Sequence, residues 1–160
     1  MFSRFFSPPI LFNVILLISF SLSVNTSVEI KNLNTIFYIF FYIIFIYILF
    51  YHYHYYLYFI GLFYGVLYDV ILLNVIGCHL LSFMLLISIY ILFKKYLLLL
   101  TPYQISIIIY SSLIITLLIE LLFAFLFNDF LITISKVLEY FIFSIIIFIP
   151  SIYMLSKLDK

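Results

Sequence analysis

The chain has 160 residues, of which 69% are hydrophobic and 8% charged, with a mean hydropathy of +1.40. A soluble domain carries about 25% charged residues, so no water-facing surface of ordinary size can be built from this sequence. A net charge of +1 excludes electrostatic capture of nucleic acid, and one cysteine allows neither an internal disulfide nor a cysteine metal cluster.

A chain whose solvent is mostly lipid must satisfy its backbone hydrogen bonds internally, in helices or in a closed barrel. A barrel would alternate polar and apolar positions in segments of about ten residues. Here the apolar runs are longer and do not alternate, so the expected fold is an all-α integral membrane protein, a bundle of about six transmembrane helices. The surplus of Phe, Ile and Tyr with no Trp fits a coding bias towards A and T. Aromatic stripes therefore carry little functional weight.

In chain order, Arg4 and the pair Pro8-Pro9 precede a first span over about 10–24, read as an uncleaved span rather than a signal peptide because no Ala-x-Ala-like site follows. Glu29 and Lys31 lie in a polar loop that also carries an Asn25-Thr26-Ser27 triplet, and a second span covers about 35–51. The turn His52-Tyr53-His54-Tyr55-Tyr56 places tyrosines at headgroup level. The third and fourth spans, about 57–73 and 76–93, are separated only by Asn74 and its neighbours and should form a tight hairpin. Lys94 and Lys95 end the fourth span, and Tyr96–Leu100 should lie in the interface up to Pro102. The fifth span is about 103–127, the sixth about 136–155, and residues 1–160 form one transmembrane domain.

Six spans put both termini on one face of the membrane. That face holds Arg4, Lys94, Lys95, Lys157 and Lys160, against Lys31 and Lys136 on the other. The excess places both termini in the cytoplasm.

The stretch Gly61 to Phe83 contains all three glycines, Asp69 and His79. Gly61, Gly65 and Asp69 recur every four residues, so on a helix they form one stripe. Two absent side chains let a neighbouring helix approach closely. A carboxylate within a span must face protein or water. Asp69 is therefore either a partner-binding or substrate-facing group, or a structural acid capping the turn and bonded to Asn74, a tyrosine or a serine. Glu120, one turn after Thr116, should pair with a polar group on the third or fourth helix, and Glu139 with Lys136 at helical spacing. His52 and His54, two apart, point to different helix faces, and His79 with Cys78 lacks a third ligand. No metal, cofactor or catalytic arrangement follows from these spacings.

The order of these features resembles the family of the rod shape-determining protein MreD: a basic N-terminus, six short spans, and a central G-x-x-x-G-x-x-x-D followed by a turn, a glycine and an apolar helix. Gly61, Gly65, Asp69 and Gly77 occupy those positions here, followed by LLSFMLLISIYILF. Glu120 in IELLFAF matches the acid of the family's fifth span, and Pro150 before Lys157 its late proline and basic tail. Where the family commonly has arginines between the second and third spans, this chain has His52 and His54.

The resemblance implies a non-enzymatic subunit of the bacterial cell-elongation machinery in the cytoplasmic (inner) membrane. Its partners would be an MreC-like bitopic protein, the MreB filament and the RodA–transpeptidase pair that builds lateral peptidoglycan. It also implies a fold similar to the substrate-binding subunits of energy-coupling-factor transporters. A contact stripe of Gly61, Gly65, Asp69, Gly77, His79 and Glu120 would then dock a partner or internal helix. The alternative is a vitamin-binding transporter subunit with a pocket near Asp69, His79 and Glu120. A small respiratory-chain subunit would need more intramembrane acids or lysines than this chain has.

Overall fold

The structure is a computed structural model describing residues 8–24, 31–73, 77–97, 99–128 and 134–158. Those residues form six helices and no strand: α1 (Pro8–Val24), α2 (Lys31–Tyr51), α3 (Tyr56–Tyr68), α4 (Cys78–Leu97), α5 (Pro102–Asn128) and α6 (Ile134–Leu158). A π-helical segment, Asp69–Leu73, continues α3. Four helices, α2, α4, α5 and α6, are long and apolar enough to cross a membrane, whereas α1 and α3 are shorter apolar helices. This is the architecture of a membrane protein.

The organising element is α2. Every residue from Phe41 to Leu49 is buried. The apolar stretch of α2 is 61% inside the bundle, against 11% for that of α6. It packs along α1, α6 and α5, meets α3 where the Phe41 ring contacts Tyr64 and Tyr68, and meets α4 where Tyr42 stacks on Phe83 at 5.0 Å. Hydropathy cannot distinguish such a helix from one facing lipid, because lipid tails are as apolar as leucine.

Local chemistry sets several boundaries. Thr101 and Gln104 form a reciprocal cap at the start of α5: the Gln104 side-chain oxygen accepts the Thr101 N–H at 2.9 Å, and the Thr101 hydroxyl accepts the Gln104 N–H at 3.4 Å. Pro102 takes the first helical position, where no N–H is needed. Tyr96 and Leu97 prolong α4 instead of lying apart from it as an interfacial strip. Lysine side chains can extend from a continuing helix towards water, so Lys94 and Lys95 do not stop it. Pro150 lies inside α6 on its exposed side. Asn74, which the sequence places in the α3–α4 turn, lies outside the described residues, as do the loops carrying Glu29 and Asp129.

Candidate functional site: a polar clasp at one end of the bundle

The glycine stripe is filled by this chain's own α4. A Cβ added at Gly65 would stand 2.7 Å from the Leu80 Cα and 3.1 Å from its backbone nitrogen; at Gly61 it would meet the Ile87 Cδ1 at 2.9 Å. The α3 backbone thus lies against the first turn of α4, and Gly65 permits it. Gly77, just before α4, has a φ of +149°, a conformation that favours glycine, and open space around it.

That approach brings the α4 N-terminus to Asp69. Its Oδ2 accepts the Gly77 N–H at 2.7 Å and the Leu80 N–H at 3.2 Å. Its Oδ1 accepts the His79 N–H and lies against the His79 Nδ1, both at 2.8 Å. A carboxylate only accepts, so the ring carries its proton on Nδ1 in this arrangement. The first N–H groups of any helix lack partners within it and carry its positive dipole end. Asp69, fully buried, supplies the missing acceptor from the neighbouring helix. The acid is thus a cap, and its partners among the described residues are backbone amides and a histidine rather than a tyrosine or a serine; Asn74 lies outside those residues. A carboxylate offers about four acceptor positions, and four donors occupy them here.

From His79 the polar contacts spread to the other helices. Its ring stacks on Tyr68, centroids 5.4 Å apart, and meets Tyr38 edge-on at 6.0 Å. The Tyr68 hydroxyl is 2.8 Å from the Ser23 Oγ on α1. The Tyr38 hydroxyl donates to the Glu120 Oε2 at 2.5 Å. Glu120 is therefore held by α2, not by the third or fourth helix. Its Oε1 has no hydrogen-bond partner among the described residues. Glu139 accepts from the Thr35 hydroxyl at 3.3 Å. The ion pair expected with Lys136 falls on a side chain outside those described. Tyr140 lies 6.0 Å from the Tyr38 ring.

All six helices contribute, and all at the end where α1 hands over to α2, α3 to α4, and α5 to α6. The structure joins Gly65, Asp69, Gly77 and His79 into one unit, and Tyr38 connects that unit to Glu120. Gly61 lies one turn away, against Ile87 and Phe83. Tyr38, Tyr68 and Ser23 could not be singled out in the sequence, since 16 tyrosines share one coding bias. The usable signal is that a buried tyrosine hydroxyl needs a partner, and Tyr68 directly precedes Asp69.

Comparisons with family models, with curated proteins and with solved structures gave no match to this chain.

Proposed function

We propose that this chain is a non-catalytic, six-span subunit of the bacterial cell-elongation machinery, with both termini in the cytoplasm and the polar clasp at the outer end. The reading rests on the resemblance of Gly61, Gly65, Asp69 and Gly77 to the MreD pattern. One structural observation supports its non-catalytic character: every acceptor position of Asp69 is used in fixing α4 to α3. A group so saturated holds architecture and leaves no lone pair for a substrate. Because α4 fills the glycine stripe, partner helices would dock on faces that remain bare, such as Phe59, Leu62 and Phe63 of α3.

Affinity purification of the tagged protein from native membranes in mild detergent tests this reading, with mass spectrometry of proteins and of small molecules. Recovery of MreC-like and RodA-like proteins without a bound metabolite is the expected result. Recovery of ATPase subunits or a stoichiometric vitamin overturns it and selects the transporter reading. One observation favours that second reading: Glu120 is buried with an oxygen unpaired among the described residues, as a group awaiting a polar ligand would be.

A further inference from the structure

At the opposite end of the bundle, α2, α4 and α5 separate around a cleft of about 250 Å³. Phe50, Leu86, Tyr90, Phe93, Leu97 and Ile108 line it, so it is apolar on three sides. Tyr90, in its wall, lies 5.1 Å from the Tyr53 ring, and the Lys94 ammonium sits 4.6 Å over that same ring. Lys94 follows Tyr90 by one helical turn and therefore stands above it on one face of α4. Lys95 is adjacent, and both lysines are exposed. The acids of the described residues, Asp69, Glu120 and Glu139, all lie at the other end, so no carboxylate among them neutralises this pair.

An occupant must match both parts of this arrangement: hydrocarbon within the cleft and negative charge at its rim. We propose that the cleft holds an acyl chain of an anionic phospholipid whose phosphate pairs with Lys94 and Lys95. The ammonium group is a compact point charge suited to phosphate. Lysines at the level of an anionic leaflet attract it. A zwitterionic lipid of the same chains can fill the cleft, but its own cation offsets the gain at the lysines. The inference needs only that the protein sits in a membrane and is independent of a role in cell elongation.

Native mass spectrometry of the full-length, delipidated protein tests it, titrated with phosphatidylglycerol and with phosphatidylcholine of identical chains. The expected result is one phosphatidylglycerol retained about fivefold or more tightly over phosphatidylcholine, the factor that one lysine near the surface supplies. Lys94→Gln should lose about that factor. Lys157→Gln should not, although its ammonium also lies over a tyrosine, Tyr153, on α6. Glycerophosphoglycerol, the headgroup without chains, should fail to compete. Equal retention of the two lipids by the wild-type protein overturns the proposal, as does equal loss in both lysine variants or competition by the bare headgroup. The wild-type comparison stands even where a variant fails to fold.

Discussion

The two hairpins α3–α4 and α5–α6 are built on different rules. In α3–α4, glycine brings backbone within contact distance of backbone, and a single carboxylate ties the second helix to the first. In α5–α6 the described contact is between large side chains, Tyr110 on Phe148 at 4.9 Å. The acid of α5 is turned towards α2 instead. The first hairpin is fixed from within; the second is held mainly by what it leans on. In lipid, where no hydrophobic force presses helices together, close packing and polar links must supply the attraction. The α3–α4 pair therefore has its own means of association, and α5–α6 depends on the central helix.

Gly65→Leu should break that contrast most severely. Its side chain would enter the space of the Leu80 backbone and draw Leu80 away from Asp69, at a cost of roughly 3–5 kcal/mol. Thermal unfolding in detergent reads this loss, and a melting curve like that of Ser111→Leu, on the exposed side of α5, would refute the clasp. Asp69→Ala should cost about 3 kcal/mol by leaving one buried and two part-buried amides without their acceptor. Hydrogen exchange should then rise at residues 77–80 while α5 stays protected; uniform exchange across both hairpins would rule out a local cap. Combining Gly65→Ala with Asp69→Ala should cost less than the sum of the two, because both act on one contact. Strict additivity would mean that the glycine and the acid work separately.

Tyr38→Phe removes the donor to Glu120 and should cost about 1.5–3 kcal/mol, loosening α5 from α2 while leaving α3–α4 unchanged. Crosslinking between cysteines placed on α2 and α5 would report the change, and an unaltered pattern would deny Tyr38 its tethering role. Gly77→Ala should have the smallest effect, about 1–2 kcal/mol, since the new methyl meets open space and only the backbone conformation resists it. A variant as stable as the parent would show that the turn can relax freely.

Much of the fold could be read in the sequence because lipid imposes simple rules. Apolar runs mark helices, and the observed starts and ends of α1, α2, α5 and α6 fall within a few residues of those expected. Lys94 and Lys95 lie inside α4, which continues to Leu97, because a charged tip can reach water from a continuing helix. The spacing of Gly61, Gly65 and Asp69 identified the contact line, since that geometry needs only a helical period. The acid's partners remained hidden because backbone amides have no letter of their own. The centrality of α2 was hidden for a related reason: its Phe, Ile and Tyr residues spell a buried helix and a lipid-facing one alike. Tyr38 lay among many tyrosines and could be chosen only once Glu120 was seen opposite it.

The burial of α2 has a consequence for the order of biosynthesis. The helix that the others cover is the second of the six described, so in a membrane most of its cover would be made after it. Helix α1 is already there to cover one side. The sides that α5 and α6 later occupy stay bare until the second half of the chain arrives. The aliphatic and aromatic surface of α2 suits both stages, soluble in the bilayer while it waits and densely packed afterwards. Tyr38 and Thr35 are exceptions: their hydroxyls meet their acceptors only when Glu120 and Glu139, 82 and 104 positions downstream, have been made.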